Sequence, residues 1–304
     1  MGLVGPRQLT IIEAPFNLGL MPPGPGRQPG TRYAPDVLRH SGLHGLLEPD
    51  EVRRVDAPPY EPDDNRLINV RNMPAIAQYS RLLADEVERA IRLQSFALVL
   101  GGDCSILLGS ALALRRCGTF GLLFIDGHTD FYLPEQSATG GAAGMDLAMV
   151  TGWGPEELTN LDGLRPYVEI GAVIALGNRD DAWRREAPIP HLRESGAQYW
   201  DLATLRRTGI EYAVRHSLEA IREHAVDGVW IHLDVDVLDN EQMPAVDSPQ
   251  SGGLTYEELL GLLHTVGATA KVVGMQVTIY DPTRDRDGEH AKRLGGALTE
   301  ALVA

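Results

Sequence analysis

Short, continuous runs of apolar residues recur along the chain, and Gly, Pro or polar residues bound most of them. Runs of this length are typical of strands that are buried on both faces of a parallel sheet. The pattern predicts strands at residues 9–14, 96–100, 121–125, 168–176, 229–233 and 272–279.

Between these runs lie segments whose apolar residues recur three and four positions apart, as in amphipathic helices. We predict helices at residues 34–39, 73–93, 105–115, 212–224, 255–268 and 290–303. Pro35 suits the first turn of the first helix, and Thr255 suits an N-cap. The Gly/Pro-rich segment 19–30 and the Gly/Ala-rich segment 137–144 are predicted as loops, the latter over a site.

The alternation of strands and helices predicts an α/β protein with a mostly parallel sheet that is covered on both faces. We find no internal repeat and no linker, so we expect a single domain over residues 1–304. Because ligands of such folds bind at the carboxyl ends of strands, the residues that follow the strands are the first candidates for a site.

Acidic residues follow two of the predicted strands. Asp126, His128 and Asp130 come directly after one, and Asp234 and Asp236 come after another. Residues two apart share a face on an extended chain, so each set can converge. A lone aspartate at the end of a strand would be explained as a helix cap. Converging carboxylates repel one another unless a cation neutralises them, so the repeated pattern favours a metal site that holds more than one ion.

Cys104 follows the strand at 96–100 and a Gly-Gly turn. A lone cysteine is commonly a small buried apolar residue, but the neighbouring acidic clusters favour a metal ligand. A thiolate suits zinc better than manganese. We interpret Asp103 as a brace for the turn and Cys117 as inert.

His232 lies on the same strand face as Asp234, one step deeper. One interpretation is a core histidine whose hydrogen bonds are satisfied. The alternatives are a hydrogen-bond donor that supports a metal ligand, or a ligand itself.

Composition excludes several classes of function. The chain has 304 residues, 43% of them hydrophobic, and a net charge of −15. This balance indicates a globular core and argues against binding to nucleic acid or to anionic membranes. The N-terminal residues lack a signal-peptide pattern, and no apolar run approaches the roughly 18 residues of a membrane helix. We therefore expect a soluble cytoplasmic protein.

Together these segments resemble the ureohydrolase superfamily, which includes arginase, agmatinase and formimidoylglutamase. The family signatures Gly-Gly-Asp-His-Ser, Asp-Ala-His-x-Asp and Ser-x-Asp-x-Asp-x-x-Asp-Pro correspond to GGDCS at 101–105, DGHTD at 126–130 and HLDVDVLDN at 232–240. Segments 30–39, 176–180 and 244–258 add to the likeness. The resemblance implies the three-layer α/β/α arginase–deacetylase fold and a homo-oligomer.

The resemblance also implies a binuclear metal centre, usually of manganese, with zinc or another ion open because of the cysteine. The matching positions are Cys104, Asp126, His128, Asp130, Asp234 and Asp236, with Asp126 and Asp234 bridging the ions. The implied reaction is hydrolysis of a non-peptide C–N bond in a small linear amidine, guanidino compound or related amide. A metal-bridging hydroxide attacks the carbon, and Asp130 passes a proton to the leaving amine.

Several positions depart from the family pattern. Cys104 replaces a histidine ligand, Ala143 replaces a histidine thought to shuttle protons, and Ile279 replaces a glutamate that grips the guanidinium. Tyr132 and Thr139 occupy positions that bind the carboxylate of an amino-acid substrate. These departures argue against free arginine as the substrate.

Two other hypotheses stay open on the sequence alone. In one, the chain is a degenerate homologue that binds a metal or a small ligand without turnover. In the other, it is a structural subunit that needs no metal.

Overall fold

An eight-stranded, fully parallel sheet forms the centre of the computed structural model, which describes residues 2–61, 66–180 and 192–303. In chain order the strands are β1 (Leu9–Ala14), β2 (Glu51–Arg54), β3 (Phe96–Gly101), β4 (Gly121–Ile125), β5 (Val173–Leu176), β6 (Gln198–Trp200), β7 (Val229–Asp234) and β8 (Val272–Thr278). Their order across the sheet is β2-β1-β3-β8-β7-β4-β5-β6.

Helices cover both faces of the sheet. They are α1 (Ala34–His40), α2 (Leu43–Leu47), α3 (Met73–Arg92), α4 (Leu107–Cys117), α5 (Asp146–Val150), α6 (Glu156–Thr159), α7 (Leu202–Thr208), α8 (Ile210–Ala220), α9 (Tyr256–Thr269) and α10 (Glu289–Val303). Among the residues described, no helix is both long and apolar enough to cross a membrane.

Two apolar clusters lie on opposite faces of the sheet, because successive side chains of a strand point to opposite sides. On β3, Leu98 and Leu100 belong to the cluster that α1, α2 and α7 to α10 cover. Ala97 and Val99 belong to the cluster under α3 to α6. The chain is therefore a three-layer α/β/α structure, which confirms the predicted fold class.

The central strands were predictable and the edge strands were not. The predicted strands at 9–14, 96–100, 121–125, 229–233 and 272–279 are confirmed to within one residue at each end. The strand predicted at 168–176 is shorter, because a 3₁₀ turn over Ile170–Ala172 precedes β5. β2 and β6 were missed, since they are short and only partly buried and therefore lack a continuous apolar run.

The helix predictions are confirmed with shifts of a few residues, and Thr255 is the N-cap of α9. The short helices α2, α5, α6 and α7 were missed, because a helix of one or two turns has too few positions to show a periodic pattern.

The register of the central strands aligns the ends that carry the acidic residues. Asp234 of β7 pairs with Thr278 of β8, and Leu233 pairs with Ile125 of β4. Asp126 therefore comes directly after the strand end beside Asp234. The register alone brings the two acidic segments to one edge of the sheet.

Thr255→Ala tests the cap of α9. The Thr255 hydroxyl accepts a hydrogen bond from the Glu258 amide at 3.1 Å, and the Glu258 carboxylate accepts one from the Thr255 amide at 2.8 Å. Loss of this capping box should lower the free energy of unfolding by about 1 kcal/mol. Denaturant midpoints at equal metal content measure the change.

Thr265→Ala is the matched control within the same helix. Its hydroxyl bonds only the Gly261 carbonyl of the preceding turn, at 2.8 Å, so stability should change by less than about 0.5 kcal/mol. Equal losses in the two variants would contradict the role of the cap.

Candidate metal centre

The first part of the site is built on the turn after β4. Asp126 is fully buried, and one of its oxygens, Oδ1, accepts a hydrogen bond from the His128 amide at 2.6 Å. The His128 ring places Nδ1 at 2.9 Å from Oδ2 of Asp236 and 3.8 Å from Oδ1 of Asp126. Potential ligand atoms of these three residues lie within 4.8 Å of one another. We call this group the outer position, because the His128 side chain is 21% exposed.

The second part is built on the turn after β7. Asp234 uses Oδ1 to accept a hydrogen bond from the Asp236 amide at 2.7 Å. Its other oxygen, Oδ2, lies 2.8 Å from Sγ of Cys104. Cys104, Asp126 and Asp234 form a second group whose potential ligand atoms lie within 4.8 Å of one another. Cys104 is buried, and its thiol contacts a carboxylate on one side and the apolar core on the other.

The capping function and the proposed ligand function of the two strand-terminal aspartates are compatible. In both Asp126 and Asp234, Oδ1 caps the turn that follows and Oδ2 faces the cluster. Oδ2 of Asp126 has no hydrogen-bond partner. A buried carboxylate oxygen without a partner is the atom that a bound cation would contact.

Asp130 lies at the edge of this cluster. It is 8% exposed, and its backbone has a positive φ of 40°. Burial raises the pKa of its carboxyl group, and the carboxylates of Asp126 and Asp146 raise it further. Within the described ranges, Asp130 belongs to none of the tight groups.

The electrostatics of the site are those of crowded, buried acids. Burial and neighbouring carboxylates raise the pKa values of Asp126 and Asp234 well above the usual range. Burial alone would lower the pKa of His128, but the carboxylates of Asp236 and Asp126 raise it to about 10. Burial acts to raise the pKa of Asp236, yet the adjacent imidazolium of His128 lowers it overall. Divalent cations would relieve this repulsion, so the residues fit a metal centre.

His232 lies behind these carboxylates. It is fully buried and stacks on Phe124, with ring centroids 4.5 Å apart. Its Nδ1 lies 2.8 Å from the amide nitrogen of Gln276, and its Nε2 lies 3.7 Å from Oδ2 of Asp126. Burial lowers its pKa to about 3, so the ring is neutral.

Tyr132 and Thr139, the residues predicted to contact substrate, lie on the loop between β4 and α5. Thr139 is exposed, and its hydroxyl accepts a hydrogen bond from the Gly141 amide at 3.1 Å. Tyr132 is partly buried, and its amide donates to the Gly144 carbonyl at 3.4 Å.

Ala143 and Ile279 are buried in the same apolar cluster as Cys104. Ile279 directly follows β8 and has a φ of 71°, which is rare for a β-branched residue. Its amide donates to the Gly102 carbonyl at 2.8 Å. Position 279 therefore offers no charged side chain to a substrate.

Sequence reasoning missed several residues that shape the site. Asn178 donates to the carbonyls of Asp126 and His128, with 3.0 Å to the first. The amide of Gln250 lies 2.9 Å from Nε2 of His128. Both occur in segments of family likeness, at 176–180 and 244–258, and that was the available signal.

Asp146 was missed as well. It is the first residue of the short helix α5 and is fully buried, and no strand or periodic pattern precedes it.

A parallel sheet that brings buried aspartates, a buried thiol and two imidazoles together at its carboxyl edge is typical of metal-binding α/β proteins. A profile of the arginase family matches residues 7–304. Arginase from Staphylococcus aureus (strain MRSA252) is 29% identical over 297 residues, which cover 94% of this chain and 93% of that protein. Arginase from Bacillus caldovelox is 31% identical over 260 residues, 83% of each chain.

Solved structures give the same result. Arginase from Bacillus caldovelox superposes with a TM-score of 0.85 at 26% identity and covers 97% of this chain and 98% of that chain. Formimidoylglutamase from Bacillus subtilis, with a TM-score of 0.70 at 17% identity and coverage of 98% and 87%, shares the fold. The chain belongs to the arginase family and is an arginase-family hydrolase.

Binding of Mn²⁺ should release protons. In the metal-free protein His128, with a pKa of about 10, is cationic at neutral pH, and the raised pKa of Asp126 favours its protonated form. Ligands must lose these protons, so affinity should rise with pH by about tenfold per unit for each proton released. Isothermal calorimetry in buffers of different ionisation enthalpy counts the protons that are released.

His128→Asn is the comparison variant for this count. It should bind Mn²⁺ more weakly and release about one proton fewer, because the imidazolium is gone. An affinity that does not change between about pH 6 and about pH 8 would contradict the assignment.

Proposed function

We propose that this chain hydrolyses a non-peptide C–N bond in a small linear amidine, guanidino compound or related amide, with two divalent metal ions, of which Mn²⁺ is the first candidate. The observation that carries the proposal is the convergence of buried aspartates and His128 at one edge of the sheet. Membership in the arginase family supports the reaction class.

The proposed ligands divide between two neighbouring positions. The outer position is formed by Asp126, His128 and Asp236, and the other is formed around Cys104, Asp126 and Asp234. Asp126 belongs to both groups, as a bridging carboxylate must. When bound, a pair of divalent cations lowers the pKa of water toward neutrality and so supplies hydroxide as the nucleophile.

Asp130 is the proposed proton carrier. Its carboxyl group is buried next to other carboxylates, and the resulting rise in its pKa suits a group that holds a proton at neutral pH. It would pass this proton to the leaving amine. With Ala143 in place of the family histidine, Asp130 has no imidazole to help it at that position.

Tyr132 and Thr139 are proposed to bind the part of the substrate that lies away from the reacting carbon. Both belong to the loop that leads from β4 to α5, at the same edge of the sheet as the acidic residues. Their hydroxyl groups are donors for a polar or anionic group of the substrate.

Free arginine is a poor fit to this site. Ile279 is 3% exposed and cannot pair with a guanidinium group, and Ala143 leaves an apolar surface nearby. We therefore propose a substrate other than free arginine, whose reacting group needs no carboxylate partner at position 279. Metal-loaded protein assayed against guanidino compounds, formimino compounds and acyl-amides tests this. Absence of turnover with every class, with metal bound, would overturn the proposal.

The second candidate function is metal or ligand binding without turnover. Ala143 and Ile279 replace polar family residues, and both side chains are buried in an apolar cluster. These two replacements favour binding without turnover. In that case the assays above give no product, while metal binding and its proton release are retained.

Asp130→Asn separates the two candidates. Asparagine tolerates the positive φ of 40° at this position, so the fold should be retained. Loss of the ionisable group should lower kcat by about 10²- to 10⁴-fold for an enzyme. Steady-state kinetics on the best substrate of the screen, with metal content measured in parallel, gives the result.

Asp162→Asn is the matched control, because Asp162 also has a positive φ, of 58°, but is exposed and pairs with Arg116. It should leave kcat unchanged. Equal kcat values for Asp130→Asn and the unchanged protein would remove Asp130 from the mechanism.

Three other expectations stay predictions. They are a single domain over residues 1–304, self-association into a homo-oligomer, and a cytoplasmic location. The continuous sheet, whose strands come from both halves of the chain, supports the first. Family likeness supports the second.

A further inference from the structure

Cys104, Asp146 and His232 form a third group of potential ligands, at the base of the site. One ligand atom of each lies within 4.8 Å of the other two. Each side chain is 1% exposed or less, in contrast to the His128 side chain at 21%. They come from three separate segments, the turn after β3, the first turn of α5 and the middle of β7. We call this group the deep position.

The deep position contains atoms that lack partners. Neither carboxylate oxygen of Asp146 has a hydrogen-bond partner, and Nε2 of His232 has none. The backbone amides of Asp146 and Leu147 approach this carboxyl group closely enough to act to lower its pKa. Neither amide meets the geometry of a hydrogen bond with a carboxylate oxygen. Buried polar atoms are nearly always paired. Unpaired carboxylate and imidazole atoms beside one thiol therefore favour a bound cation at this place.

The chemistry of these donors differs from that of the outer position. A thiolate, an imidazole and a carboxylate form a donor set typical of zinc, whereas manganese prefers oxygen ligands. A fourth donor is close, because Oδ2 of Asp234 lies 2.8 Å from the Cys104 sulfur. Oδ2 of Asp126 lies 3.7 Å from Nε2 of His232.

Two of the three residues lie where the chain departs from the family signatures. Cys104 stands where GGDCS departs from Gly-Gly-Asp-His-Ser, and His232 stands where HLDVD departs from Ser-x-Asp-x-Asp. Asp146 meets both in space although it is remote from both in sequence. Three metal-competent side chains therefore meet at a place where the chain's own residues, rather than the family signatures, set the donors.

We propose that Cys104, Asp146 and His232 bind a zinc-type divalent cation, with Asp126 or Asp234 as a fourth ligand, while the outer position binds the second ion. The centre is then mixed, with one thiolate-containing position and one position of oxygen and imidazole donors. This inference rests on the metal-binding part of the proposed function and adds the chemical preference of one position.

The assignment has a consequence for His232. A metal on Nε2 places the ring proton on Nδ1, which then needs an acceptor. Gln276 can supply its amide oxygen by turning the amide over, since its nitrogen now lies 2.8 Å from Nδ1. That turn gives up the long 3.4 Å contact between the Gln276 oxygen and the Trp230 indole. Asp130 takes no part in the deep position and stays available for proton transfer.

Titration of the metal-stripped full chain with Co²⁺ tests the proposal, because a thiolate bound to Co²⁺ gives a charge-transfer band in the near ultraviolet. The band should appear and saturate at about one equivalent of Co²⁺ per chain. Zn²⁺ should abolish the band and excess Mn²⁺ should not, since thiolates prefer zinc. Co²⁺ bound to the unchanged protein without this band would overturn the proposal.

Substitutions assign the band to the deep position. Cys104→Ser should remove it, and Cys117→Ser, which changes the other cysteine of the chain, should leave it intact. Asp146→Asn and His232→Gln keep the thiol and should weaken Co²⁺ binding about tenfold or more. A band that survives Cys104→Ser, or affinities unchanged in both other variants, would contradict the assignment.

A measurement on the unchanged protein covers the case in which Cys104→Ser does not fold. X-ray absorption at the zinc edge should show one sulfur neighbour at about 2.3 Å. A shell of oxygen and nitrogen alone would refute the deep position.

These readouts do not depend on turnover. A cobalt–thiolate band in a protein that hydrolyses no C–N substrate would refute the proposed function alone. Turnover by a protein whose metal shows no sulfur ligand would refute the deep position alone.

Discussion

Buried carboxylates that are held close together at one edge of a parallel sheet are the constraint on which the site depends. The register of β4 against β7 places Asp126 beside Asp234, so their proximity is fixed by backbone hydrogen bonds. Burial and mutual repulsion raise the pKa values of both groups, which lets the metal-free fold hold them as neutral acids. Because metal ligands must lose their protons, binding of cations at this edge would be coupled to the release of these protons.

The sequence predicted the parts of the site that follow from strand geometry. Asp126 and His128 follow one apolar run at alternate positions, and Asp234 follows another. In the structure His128 and Asp234 both lie close to Asp126. Asp146 follows a loop and begins a helix of five residues, so its burial depends on how α5 packs against the sheet. Packing of that kind leaves no local pattern. The edge strand β2 was missed for a related reason, because its charged, partly exposed residues do not form an apolar run.

Structural and functional explanations of one residue need not compete. As strand-terminal aspartates, Asp126 and Asp234 cap the turns that follow them with one oxygen each, which is the role expected of any such residue. The cap fixes the side-chain rotamer and thereby aims the second oxygen at the cluster. His232 behaves similarly, since stacking on Phe124 and contact with Gln276 hold its ring while Nε2 faces the carboxylates. The local interaction in each case positions the atom that remains available for chemistry.

Ile279 stands at a strained position of the backbone next to the site. A β-branched residue with a φ of 71° is strained by about 1–3 kcal/mol, so the surrounding structure must impose this conformation. The hydrogen bond from its amide to the Gly102 carbonyl ties the end of β8 to the turn after β3, which also carries Cys104. The same turn thus positions both departures from the family pattern, the thiol of Cys104 and the buried apolar side chain of Ile279. The residues at positions 104 and 279 are therefore structurally linked, because one piece of backbone positions both side chains.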